Sequence, residues 1–150
     1  YSAMLGLDGM DDDYIHINCD ILFSASLVKK LLEDKRKNIL CVRGDIELTN
    51  SMENAIGLNG RIVNMSLKPS NEAKYKAFGI GKISKEGLIQ NINFYNNLTD
   101  SAKNKENYYG LIRVTLGFED YFYIESDKKN LAEVNSIRDL EKCEFISDLT

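Results

Sequence analysis

Two oxygen-bearing side chains stand where apolar runs stop. Tyr14-Ile15-His16-Ile17-Asn18-Cys19 is a short, mostly apolar run of the kind found in a buried parallel strand, and it ends at Asp20. Ligands of open α/β sheets gather at the C-terminal edge of the strands. A carboxylate there can hold a divalent cation against phosphate oxygens, because Mg²⁺ prefers hard oxygen ligands and takes only one or two from the protein. Asn135 ends a second apolar run, Leu131 to Val134, and its amide oxygen is a weaker ligand of the same type. Each has a plainer reading beside this one. Asp20 can be a turn or helix-capping residue, and Asn135 suits a strand-to-helix turn for local hydrogen-bonding reasons.

Other chemistries find little material. His16 is the only histidine, so no Ser-His, Cys-His or multi-His site can be assembled within one chain, and its place inside a strand suits a satisfied packing role. Cys19, Cys41 and Cys143 are odd in number and widely spaced, which fits reduced thiols of a cytoplasmic protein. Tyr121-Phe122-Tyr123 has the composition of an aromatic cage, but successive strand residues face opposite ways, so the three do not converge.

The elements that must position Asp20 and Asn135 can be read from periodicity. After Phe23, Ser24 or Ser26 can cap a helix carrying Leu27, Val28, Leu31 and Leu32, and Asn38 to Val42 is the next buried strand. Strand, helix, strand is the βαβ signal of a parallel sheet with helices on its faces. Antiparallel character follows, since Asn59-Gly60 is a tight-turn pair between Ala55-Leu58 and Arg61-Met65. Tyr75 to Ile83 reads as a strand, Ser84 as the cap of a helix, and Asn96 to Asn107 as a polar connection. Tyr108 to Leu116 reads as a helix and Tyr121 to Ile124 as a strand. Ser136-Ile137-Arg138-Asp139 resembles a capping box opening the last helix.

Composition sets outer limits. A chain of 150 residues with 43% apolar content can build one continuous core. A net charge of -4 argues against a nucleic-acid backbone as the main partner. Lys29-Lys30 and Lys35-Arg36-Lys37 alternate with Glu33 and Asp34 and suit a solvated helix face. No run is long and apolar enough for a membrane span, and no signal-peptide pattern opens the chain.

Four segments taken in order carry a resemblance. His16-Ile17-Asn18-Cys19-Asp20-Ile21-Leu22-Phe23 is similar to the apolar, G-D, apolar segment of the sugar-phosphate and choline-phosphate nucleotidyltransferases. Leu67-Lys68-Pro69 resembles their E-K-P element, and Ala77-Phe78-Gly79-Ile80-Gly81 the strand that lines the acceptor pocket. Glu133-Val134-Asn135, continuing to Lys142, resembles their closing E-[IV]-[DN] segment. The resemblance implies an α/β fold of the three-layer Rossmann-like, GT-A-type kind, a mixed sheet with helices on both faces. It implies Asp20 and Asn135 as catalytic ligands of Mg²⁺, and Lys68 and Gly79 as substrate-binding positions. The implied partners are an NTP, with CTP the best guess, and a small phosphorylated acceptor, with a homo-oligomer expected and neither nucleic acid nor membrane involved. Cys19 replaces the usual Gly, and Leu67 the usual Glu. Family members open with a Gly-rich G-x-G-T-R loop, which this sequence does not contain, so residues 1–150 are expected to form a partial domain without its N-terminal nucleotide-binding unit. The alternative is a truncated or degenerate module that serves assembly or regulation.

Overall fold

Along the chain run α1 (Ser2–Leu7), β1 (Tyr14–Ile17), β2 (Ile21–Phe23), α2 (Ala25–Glu33), β3 (Asn38–Arg43), β4 (Asn54–Leu58) and β5 (Arg61–Ser66). After them come β6 (Tyr75–Ile83), α3 (Lys85–Asn96), α4 (Asp100–Lys103), α5 (Tyr108–Thr115), β7 (Tyr121–Ser126), β8 (Leu131–Glu133) and α6 (Ile137–Lys142). This computed structural model describes residues 2–143 except 8, 104 and 106. Asp8 of the opening segment and Asn104 and Glu106 of the polar connection therefore lie outside the described residues, as do the side chains of Ser2, Ala3, Leu5 and Lys142.

Alternation along β3 divides the molecule into layers. Ile39 and Cys41 point into a core with Leu27 and Leu31 of α2, whereas Leu40 and Val42 point into a core with Tyr109 and Ile112 of α5. The neighbouring β7 splits the same way, with Tyr121 and Tyr123 on the α5 side and Phe122 and Ile124 on the α2 side. Helices thus cover both faces of the sheet, as a fully buried central strand requires; all six residues of β3 are buried. Leu31 is fully shielded from solvent, and burying such a side chain stabilises by roughly 1.5–3 kcal/mol.

The six-stranded sheet has the order β1-β6-β3-β7-β5-β4, with β4 also pairing to β6. Only β3 and β7 are parallel; the other neighbours are antiparallel. This corrects two expectations. β1 is not a buried parallel strand: among the described residues it pairs only with β6, antiparallel, and none of its four residues is fully buried. Nor do β1 and β3 lie side by side as a simple βαβ unit, because β6 returns between them and runs against both. The later strand competes for the central position with its nine residues, seven of them buried.

Local chemistry sets the element ends. Ser24 caps α2, its hydroxyl accepting from Leu27 N, and Ser84 caps α3 in the same way through Gly87 N at 3.1 Å. Asn59 and Gly60 take φ of 50° and 79°, the left-handed conformations that a tight two-residue hairpin turn between β4 and β5 demands. Asn38, 1% exposed, ties layers together: its Oδ1 accepts from Ser84 N at 2.9 Å and its Nδ2 donates to Asp120 O.

Candidate functional site

The site grows from a short ribbon of which only one strand, at Leu131 to Val134, is expected from the sequence. Ile21-Leu22-Phe23 forms β2, which pairs antiparallel with β8 in the register Ile21↔Glu133, Leu22↔Ala132, Phe23↔Leu131. An antiparallel pair brings the start of one strand to the end of the other. One step beyond Ile21 and Glu133, Val134 N donates to Asp20 O at 2.8 Å. Asp20 and the residue just before Asn135 are therefore bonded neighbours, although more than a hundred positions separate them along the chain. Asn135 is exposed, and its backbone N–H donates to the Asp139 carboxylate, which also accepts from the Ser136 hydroxyl at 2.8 Å. The capping box expected at Ser136 and Asp139 is thus what ends the ribbon and opens α6.

Asp20 carries an unusual vacancy in its bonding. Its Oδ1 is buried and has no hydrogen-bond partner among the described residues. A desolvated carboxylate oxygen without a donor costs about 1–3 kcal/mol or more, and a bound ion is one of the few arrangements that would satisfy it. A cation bound at that oxygen would offset the cost. The donor chemistry fits Mg²⁺, which uses hard oxygens and leaves most positions to water and phosphate. Among the described residues no three His, Cys, Asp or Glu side chains converge, so a cage built from those ligands alone is not present.

Beside the ribbon lies a charged cluster that sequence reasoning missed. Arg43, at the end of β3, is 9% exposed; its guanidinium donates to Leu131 O at 2.8 Å and pairs with Asp45 at 2.7 Å. This bond holds the Asp45 carboxyl below the usual carboxylate range. Lys76, also 9% exposed, pairs with Glu133 at the end of β8. Both cations lie over Phe78, at 5.6 Å and 4.8 Å from the ring centre. The signal that could have found them is a cation embedded in an otherwise buried strand, since Arg and Lys are rarely buried unless paired.

Gly79 approaches Asp20 through β1. Asn18 N donates to Gly79 O at 2.6 Å, and the Asn18 side chain lies so close over Gly79 that an added Cβ would sit 2.7 Å from Asn18 Cβ. Asn18 Oδ1 bonds His16 Nε2 at 2.8 Å, and the imidazole stacks on Tyr108 with ring centres 3.9 Å apart. Burial lowers the His16 pKa, against the opposing effect of the Asn18 hydrogen bond, and the ring packs on the α5 side against Tyr108.

Lys68 stands elsewhere. It lines a cavity of about 250 Å³ with Asn54, Ile56, Asn64, Met65, Ser66, Pro69, Ser70 and Ala73, and neither Gly79, Asp20 nor Asn135 belongs to that lining. Its connection to the ribbon is indirect: Asn54 is paired in register with Lys76, which holds Glu133. Asn54 is 1% exposed, and its Oδ1 is a second buried oxygen with no partner among the described residues.

Solved structures share this architecture. The chain superposes with TM-score 0.71 and 16% identity on a Bacillus anthracis protein assigned as a glucose-1-phosphate thymidylyltransferase, crystallised with sucrose, over 95% of this chain and 58% of that one. It superposes with TM-score 0.68 and 19% identity on the inositol-1-phosphate CTP transferase of T. maritima, over 96% and 59%. The CTP:phosphocholine cytidylyltransferase of Streptococcus pneumoniae gives 0.64 and 15%, over 87% and 55%. The chain therefore has the nucleotidyltransferase fold and spans somewhat more than half the length of these structures. No family model matches the sequence, and no curated protein matches it. Among the described residues no helix is long and apolar enough to cross a membrane.

Proposed function

We propose that the protein transfers a nucleoside monophosphate from an NTP, CTP by first choice, to a small phosphorylated acceptor with release of pyrophosphate. The observation that carries this reading is the buried, unpartnered Asp20 Oδ1 beside the Asn135 end of β8, on a fold shared with nucleotidyltransferases. A phosphate oxygen of the acceptor attacks the α-phosphorus; the bond from that phosphorus to the bridging oxygen breaks, and pyrophosphate leaves in line. Both reactants are anions, so charge neutralisation and alignment dominate the catalysis. Asp20 and Asn135 would hold Mg²⁺, which would supply positive charge to neutralise the reacting phosphates. Gly79 leaves room for the Asn18 side chain beside this rim. The triphosphate grip belongs to a G-x-G-T-R-type loop that these 150 residues do not contain.

Lys68 meets the phosphate or hydroxyls of the acceptor. Its cavity offers amides and hydroxyls from Asn54, Asn64, Ser66 and Ser70, with no aromatic and no acidic side chain in its lining. Such a lining suits a hydroxyl-bearing acceptor better than a quaternary ammonium, which is held by aromatic faces. The reaction belongs in the cytoplasm, with no nucleic acid or membrane partner. The free side of β1 is where a second copy or another segment pairs.

A turnover panel tests the reading. Pyrophosphate release is measured for the complete natural protein with each NTP against hexose 1-phosphates, inositol 1-phosphate, aminoethylphosphonate and phosphocholine. Turnover is expected, with a polyol phosphate preferred over phosphocholine. No release with any pair would favour the non-catalytic module, and a preference for phosphocholine would overturn the cavity argument alone.

A further inference from the structure

We infer that Lys76, through its ion pair with Glu133, is a positioning residue that keeps Asn135 beside Asp20. The inference rests on the metal-binding reading above and adds the part that makes the two ligands a pair. A ribbon of two three-residue strands is too short to hold itself in register. Ser24 N donates to Asn130 O at 3.0 Å beyond the Phe23–Leu131 end, and three further contacts fasten the ribbon. Arg43 grips the beginning of β8 through Leu131 O at 2.8 Å, Asp20 O accepts from Val134 N at 2.8 Å, and Lys76 grips the side chain of Glu133, two residues before Asn135.

The division of labour follows from where each contact falls. Arg43 holds a backbone atom at the far end of β8 and would keep the strand docked without Lys76. Lys76 is the side-chain fastener at the end that carries Asn135. Lys76 is 9% exposed and its ammonium rests 4.8 Å from the Phe78 ring centre, so it has little freedom to find another anion. In so desolvated a place, removing one member of the pair leaves the other charge uncompensated, and the strand end must shift to rehydrate it. Residues that orient a metal ligand in this indirect way typically change metal affinity about 10–100-fold when lost.

Mn²⁺ titration of the isotope-labelled chain, read by paramagnetic broadening of individual amide signals, tests the inference without needing turnover. In the unmodified protein the signals of Asp20 and Asn135 broaden together. In Lys76→Met both signals are expected to broaden only at about 10–100-fold higher Mn²⁺, because the second ligand no longer contributes to holding the metal. Lys76→Arg restores the original Mn²⁺ midpoint. Glu133→Ala matches Lys76→Met, and the double variant is no worse than either, because both singles remove one interaction. If Lys76→Met loses its dispersed spectrum, Glu133→Gln, which keeps an acceptor for the ammonium, carries the same test with a smaller loss. Joint broadening at unchanged Mn²⁺ in Lys76→Met, or in Glu133→Gln where that variant stands in for it, overturns the inference, as do additive losses in the double variant. Asp20→Ala separates the two layers of the argument: if it still broadens at Asn135 like the unmodified protein, the metal-binding reading itself is wrong.

Discussion

Replacing Asp20 by Ala should leave the metal-free protein as stable as before or more stable, while abolishing its response to Mg²⁺. In the folded chain the buried Oδ1 has no donor among the described residues, a condition costing about 1–3 kcal/mol that the substitution removes. The bond from Val134 N to Asp20 O uses the backbone and survives. Against the gain stands the packing of a side chain whose residue is only half buried, worth less than about 1 kcal/mol. The net is a change between zero and about 3 kcal/mol in favour of the variant, or a rise of up to ~6–12 °C in Tm at about 2–4 °C per kcal/mol for a chain of this size. Bound metal should then stabilise only the unmodified protein, by about 1.4 kcal/mol at ten times its Kd. Thermal and urea unfolding in EDTA and in excess MgCl₂ give all four numbers. A variant that loses 1 kcal/mol or more in EDTA, or gains as much from Mg²⁺ as the unmodified protein, would refute the reasoning, because the orphaned oxygen would then have a structural role.

Further tests address the scaffold. A Cβ at Gly81 would meet Ile39 O, a backbone atom of the central strand, at 2.5 Å, so Gly81→Ala should cost about 1–3 kcal/mol or more in urea unfolding; no change would mean that β3 and β6 are further apart. At Gly79 the obstacle is the Asn18 side chain, so Gly79→Ala should cost less stability than Gly81→Ala while disturbing the rim beside Asp20, visible as reduced Mg²⁺ response. Burial pushes the Cys41 thiol up to about 12 whereas Cys19 is exposed, so a thiol reagent should modify Cys19 promptly and Cys41 only on unfolding; early modification of Cys41 would contradict the core assignment. The Asp34 carboxyl is held down to about 2, first by its side-chain hydrogen bond from Arg36, so its folded value lies below the unfolded one. Its contribution is fully present above about pH 4 and fades as pH falls through 2; Asp34→Asn should flatten that acid limb, and an unchanged limb would assign it to other groups.

Much of the scaffold was legible because its signals are local. The Asn59-Gly60 turn, the Ser24 and Ser84 caps and β6 over Tyr75–Ile83 each follow from residues within a few positions of one another. Separation of Tyr121 and Tyr123 from Phe122 onto opposite faces also follows from strand alternation. Partner choice was not legible. Nothing near Tyr14–Ile17 announces that β6 will pair with it antiparallel, and three residues at Ile21–Phe23 give no periodicity from which to expect a strand. That missed strand, paired with the expected one at Leu131–Glu133, is the element that joins Asp20 to the Asn135 end of β8. For the same reason the meeting of Arg43, Lys76 and Glu133 was not legible: it depends on pairings between segments far apart in the chain.

The most direct measurement of the central claim is Mg²⁺-dependent pyrophosphate release by the complete natural protein carrying Asp20→Ala or Asn135→Asp. The account predicts no detectable release for the first, since the buried carboxylate is gone, and release retained in the second, since a carboxylate is the stronger oxygen ligand. Full release from Asp20→Ala would contradict it.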